Sequence, residues 1–240
     1  MRIEIWSDVV CPWCYIGKRR LETALSTFEH ADEVEVVYRS FELDPSAPHH
    51  GHERTLGVLA RKYGSSEAEM RQRMEGVVAT AAEEGLAFRL FDNVHTNTID
   101  AHRLLHLALE AGGPALQREL KESLLAAYFV RAEDVGDHAV LRAAALEAGL
   151  DPERVDAVLA TEEYAEAVAA DIAQARAYGA TGVPFFVIDA RYGVSGAQPA
   201  EAFTQVLEQA WAESHPVLQT LGGSVDGAGA EVCGPDGCPI

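Results

Sequence analysis

Two cysteines with two residues between them, Cys11-Pro12-Trp13-Cys14, follow an alternating apolar segment, Arg2-Ile3-Glu4-Ile5-Trp6, and open a helical pattern. At such a strand-to-helix junction the first thiol meets unpaired backbone N–H groups and the positive end of a helix dipole, both of which favour thiolate over thiol. The expected chemistry is thiol–disulfide exchange by Cys11 and Cys14. The same spacing is also half of many zinc sites, so the rest of the chain has to decide between the two.

Ile3 and Ile5 alternate with polar or aromatic neighbours as a half-buried strand does. Pro12 suits the first turn of a helix, where no N–H is needed, and Ile16, Leu21, Leu25 and Phe28 give that helix an apolar stripe. Val34-Glu35-Val36-Val37-Tyr38 is β-branched and aromatic, a second strand, and the three pieces make a βαβ unit with a right-handed connection. After Phe41-Glu42-Leu43-Asp44-Pro45 the pattern turns helical as far as about Gly179. Ser66 and Glu69 form a capping box ahead of Met70, Met74, Val77 and Ala81; Leu116, Leu120, Leu124 and Tyr128 recur every four residues. Asp137, Asp151 and Thr161 each open a further helix. Strand character returns at Gly182-Val183-Pro184-Phe185-Phe186-Val187-Ile188-Asp189, followed by Tyr192 to Gly196 as the second arm of a hairpin, and Pro199 starts a last helix. The expected organisation is an α/β domain in two parts, residues 1–48 and 166–213, with an all-helical insertion at 49–165 and a flexible tail at 214–240.

Nineteen basic residues against 38 acidic ones leave a net charge of −19, which repels phosphate backbones and anionic membranes. Nucleic acid and membrane surfaces are not expected partners. No apolar run is long enough to span a bilayer, and none near Met1 reads as an export signal, so a cytoplasmic chain is expected. Four cysteines in two close pairs then read as catalytic or sensing thiols.

The order βαβ, helical insertion, ββα, with CxxC at the first helix and Thr181-Gly182-Val183-Pro184 before the third strand, resembles the DsbA-like branch of the thioredoxin superfamily over about residues 1–213. Within that branch, four runs look like the FrnE-like proteins: Cys11-Pro12-Trp13-Cys14-Tyr15-Ile16-Gly17, Phe41 to Pro45, Asn97-Thr98 with Ala101-His102, and Thr181 to Phe186. Those proteins are relatives of 2-hydroxychromene-2-carboxylate isomerases and kappa-class glutathione transferases. The resemblance implies a thioredoxin fold with Cys11 as the exposed, low-pKa nucleophile and Cys14 as the resolving thiol. It also implies a cis Val183–Pro184 bond, with the Val183 backbone free to pair with a substrate strand. Pro12 and Trp13 would tune the thiolate, and Trp13 would help hold an apolar substrate.

The implied function is a thiol–disulfide oxidoreductase acting on protein or low-molecular-weight disulfides. Its own dithiol carries the electrons, so no bound cofactor or metal is expected; glutathione stays open as a co-substrate, and the electron donor or acceptor and a homodimer stay open too. The alternative is a glutathione-dependent isomerase or transferase on small aromatic substrates, although such relatives typically present serine where this chain has Cys11. Cys233 and Cys238, joined by Gly-Pro-Asp-Gly on the tail, form a possible second redox pair or an incidentally oxidised tail. His102 is the histidine to test in the site, against the plainer reading of a satisfied interior residue; His95 and His106 also fall near the groove, and His49, His50 and His52 read as a solvated loop.

Overall fold

The computed structural model describes residues 1–216. Cys233 and Cys238, and with them the second redox pair, lie outside the described residues.

Strand β1, Arg2–Ser7, pairs in parallel with β2, Glu35–Ser40, after crossing over through helix α1, Pro12–Thr27. Strands β3, Phe185–Ile188, and β4, Tyr192–Ser195, form an antiparallel hairpin whose first arm pairs antiparallel with β1, giving the order β2-β1-β3-β4. The alternation read from Ile3 and Ile5 is the pleat itself. Both residues join Val36, Tyr38, Phe186 and Ile188 in one buried cluster beneath α1 and the last helix, α8, Ala200–Ser214. Trp6 and Val187 face the other side, against Ala175 of α7, Ala165–Ala177.

Between β2 and α7 lie five α-helices: α2, Thr55–Lys62; α3, Glu67–Glu83; α4, Ile99–Ala126, which runs on into a π-helical turn, Ala127–Arg131; α5, His138–Glu147; and α6, Pro152–Leu159. Ser66 caps α3 as its sequence implies, its hydroxyl accepting from Glu69 N–H while the Glu69 carboxylate accepts from Ser66 N–H. Helix α4 breaks at Gly112 and Gly113, where φ reaches 68° ahead of Pro114, and resumes to run along β2. The edge of β2 is closed by side chains. Gln117 of α4 accepts from Tyr38 N–H at 2.8 Å and donates to Tyr38 C=O at 2.9 Å, and Asp171 of α7 accepts from Ser40 N–H at 2.8 Å. These bonds lock the helices to the sheet.

Two sequence expectations shift. The helix expected at Thr161 begins only at Ala165, because the Thr161 hydroxyl donates back to Ala157 C=O at 2.9 Å and the Arg103 guanidinium gathers the carbonyls of Val158, Thr161 and Glu163 into a turn. The strand expected from Gly182 begins at Phe185, since Thr181 to Pro184 form the loop that faces Cys11.

Candidate active site

Cys11 is the residue before the first turn of α1, its backbone extended at φ −92° and ψ 113°, and Pro12 occupies the first helical position. Cys14 N–H donates to Cys11 C=O at 3.0 Å, which winds the two side chains onto the same end of the helix; both are free thiols. The Val183–Pro184 peptide bond is cis, and Cys11 Sγ donates to Val183 C=O at 3.5 Å. Gly17, one turn past the CxxC, makes that approach possible. A Cβ there would stand 3.1 Å from Pro184 Cγ and 3.3 Å from Phe186 Cζ.

A cavity of about 530 Å³ opens beside Cys11. One end is formed by Cys11, Pro12, Trp13 and the Thr181-Gly182-Val183 loop, while Met70, Met74 and Val77 of α3 supply an apolar wall. Trp13 is 40% exposed at the mouth, and Cys14 does not reach the lining. The volume suits one arm of a small or peptidyl substrate.

Behind the dithiol lies a buried polar cluster. Asp8 accepts from Val9 N–H at 2.7 Å and Leu43 N–H at 2.8 Å, and stands 3.3 Å from His102 Nε2. Burial pushes the Asp8 carboxyl up, but the His102 contact and the backbone donor outweigh it and hold it below the usual carboxylate range. Lys121 of α4 is fully buried in the same region, and burial takes its amine down to about 8.

The thiols depart from expectation. Cys11 is only 4% exposed, and its thiol is raised, first by the neighbouring Cys14 thiol and then by burial. For Cys14 burial acts upward, yet the hydrogen bond from Cys11 and the positive charge of Lys121 bring its thiol down. The exposed Cys11 expected from the sequence is therefore corrected to a buried one, its thiol held up by its neighbour and by burial. Cys11 still alone faces the cavity.

A family model for a DSBA-like thioredoxin domain matches residues 2–208. The chain belongs to that family. Its fold superimposes with a TM-score of 0.84 on the crystal structure of a probable DsbA oxidoreductase from Streptomyces coelicolor, at 49% identity over 100% of this chain and 99% of that one. A 2-hydroxychromene-2-carboxylate isomerase shares the fold at TM-score 0.64 and 11% identity, over 89% of this chain and 98% of that one. The uncharacterized protein YwbO of Bacillus subtilis is 27% identical over 192 residues, 78% of this chain and 86% of YwbO.

In this DSBA-like chain the three histidines part company. His95 lines the cavity, His102 sits behind it at 0% exposure holding Asp8, and His106 stands 3.1 Å from Asp171 and 3.2 Å from Ser40 Oγ at the edge of β2. His102 thus supports the backbone around Cys11 and does not line the cavity. Among the described residues no three of His, Cys, Asp and Glu gather as metal ligands, so the zinc reading of the CxxC finds no completing set there. Asp8 and Lys121 were not singled out by sequence reasoning. The available signal was in α4, where Gln117 and Lys121 sit four apart within the stripe that continues to Leu124, Leu125 and Tyr128.

Proposed function

We propose that this protein is a thiol–disulfide oxidoreductase that exchanges disulfides of protein or low-molecular-weight substrates through Cys11 and Cys14. The observation that carries the reading is the placement of two free thiols one turn apart, the first against Val183 C=O and on the cavity, the second inside. Cys11, once deprotonated, attacks a substrate sulfur and forms a mixed disulfide; Cys14 then attacks Cys11 Sγ and releases the substrate. Trp13 and the Thr181-Gly182-Val183 loop hold the substrate chain at the mouth, with Pro12 and Pro184 fixing the two sides of the cleft. No bound cofactor takes part, because the dithiol itself carries two electrons, and glutathione enters, if at all, as a co-substrate that closes the cycle. A cysteine at position 11, with a second thiol behind it, supports this reading over glutathione-dependent isomerisation, which needs no resolving thiol. Insulin reduction by dithiothreitol, followed with wild type and Cys11→Ser, tests it. Catalysed precipitation lost in the variant supports the proposal; equal rates would falsify it.

A further inference from the structure

Asn93 lies in the connector between α3 and α4 and takes no part in the exchange steps above. The chain around it runs antiparallel to the start of α2, bridged at Arg54 and Val94: Thr55 N–H donates to Asn93 C=O at 3.0 Å, and His95 N–H donates to Glu53 C=O at 2.9 Å. Along such a segment alternate side chains share a face, and Asn93 and His95 both line the cavity beside Cys11. Asn93 is 1% exposed, and neither its side-chain oxygen nor its nitrogen has a hydrogen-bond partner among the described residues. The neighbouring Tyr128 hydroxyl is already engaged, donating to Val94 C=O at 3.0 Å and standing 3.0 Å from Thr55 Oγ1. Burying an amide with both ends unpaired is costly, and a leucine of similar volume would fill the place without that cost.

We propose that Asn93 reads a neutral amide group, a primary carboxamide or a lactam edge, carried into this cavity on an apolar body. As an account of the substrate this rests on the exchange reading above; as a binding site it does not. An asparagine side chain offers an acceptor and a donor on one planar edge, so the group that satisfies both atoms must present a donor beside an acceptor. Primary carboxamides and lactams do so. A trans peptide amide points its N–H and C=O in opposite directions and reaches only one of the two. A carboxylate answers the Nδ2 side alone, leaves two oxygens facing each other, and meets the like charges of Asp8 and Asp44 in the same lining. Leu59, Met70, Met74, Val77, Leu90 and Phe129 supply apolar walls, which suit a hydrocarbon or aromatic body and keep water from the amide pair. Cys11 borders the same space, so the substrate class selected here is a low-molecular-weight disulfide with an apolar arm that ends in such an amide.

The experiment titrates para-(methylthio)benzamide, para-(methylthio)toluene and para-(methylthio)benzoate calorimetrically into reduced wild type and into Asn93→Leu. None of these thioethers contains a disulfide, so binding is read without exchange. The benzamide is expected to bind wild type at least about tenfold more tightly than either of the others, and to lose that margin in Asn93→Leu. A benzamide that binds no better than the toluene leaves the Asn93 amide to ordered water and overturns the proposal, as does a margin that survives in the variant. Tightest binding of the benzoate overturns it in favour of Lys62 and Arg73, which also line the cavity. The matching disulfides, bis(para-carbamoylphenyl) and bis(para-tolyl), then test the substrate role with reduced wild type: the carbamoyl compound is expected to half-saturate at about a tenfold lower concentration, and equal half-saturation overturns that role. If neither disulfide is reduced while the benzamide keeps its margin, the exchange reading falls and the binding site stands. Should Asn93→Leu not fold, the side-chain NH2 protons of Asn93 in wild type decide the matter. They are expected to shift downfield with the benzamide and not with the toluene, and an equal response to both overturns the proposal.

Discussion

Gly17 of α1 and Pro184 ahead of β3 approach so closely that a single methyl group on Gly17 would sit 3.1 Å from Pro184 Cγ. Helix and loop meet there without a side chain between them, and that contact sets how near Cys11 comes to Val183. Alanine at this position gains about 1 kcal/mol of helix propensity and meets over-filling that costs about 1–3 kcal/mol. Gly17→Ala is expected to be unchanged to about 2 kcal/mol less stable, with the alkylation rate of Cys11 altered by about threefold or more as the Val183 carbonyl shifts. Urea unfolding and iodoacetamide kinetics check this. A variant unchanged in both would show that the loop yields freely.

The Asp8–His102 pair predicts an acid-sensitive contribution to stability. Asp8 has a folded pKa below its unfolded value, so its contribution is fully present above the unfolded value and disappears as pH falls through the folded one. Asp8→Ala strands His102 and two backbone donors, Val9 and Leu43, and is expected to cost about 3–5 kcal/mol at neutral pH. The gap from wild type should narrow once pH drops below about 4. Denaturation curves at neutral and acid pH supply the comparison, and a gap that stays constant sinks the assignment.

Glu122 fastens α1 to α4 beside the active-site helix. Its carboxylate accepts from Tyr15 Oη at 2.5 Å, stands 2.6 Å from Lys18 Nζ, and also binds the Arg19 guanidinium. Burial acts upward on this carboxyl, but Arg19, Lys18 and Tyr15 take it from 4.5 to about 2. The shift is downward, so the stability it provides is present above 4.5 and is lost as pH falls towards about 2. The side chain is 31% exposed, and solvent screening trims the effect: Glu122→Gln is expected to cost about 1–2 kcal/mol near neutral pH. Urea midpoints at neutral pH measure it; a variant as stable as wild type would remove the clamp.

Filling the cavity should separate substrate binding from thiol reactivity. Met74 lies on its wall and is 6% exposed, and Met74→Trp projects a larger ring towards the space beside Cys11. KM for bulky aromatic disulfides is expected to rise about tenfold, with iodoacetamide alkylation of Cys11 held within about twofold. Steady-state kinetics on disulfides of graded size tests this, and uniform rates across sizes would show that substrates do not enter the cavity.

What could be read in the sequence was local. Pro12 in a first turn, the Ser66–Glu69 box and the alternation of Ile3 with Ile5 each declare themselves within a few residues, because the hydrogen bonds or pleat involved span no more than that. The buried cluster behind Cys14 could not be read the same way. Asp8 and His102 meet across 94 positions of chain, and Lys121 beside Leu120 looks like a lysine turned to solvent until Gln117 anchors α4 against β2. The exposure of Cys11 was misjudged for a related reason. The helix terminus it precedes is visible in sequence, whereas the Val183 carbonyl against its sulfur comes from 172 positions away.

The bonds from Gln117 and Asp171 to the outer edge of β2 have a consequence for association between molecules. An uncovered edge strand is a template for another chain, and β2 has its outward Tyr38 and Ser40 amides already spoken for. The opposite edge is β4, only four residues long and interrupted by Gly193. A sheet bounded in this way offers little foothold for intermolecular strand addition.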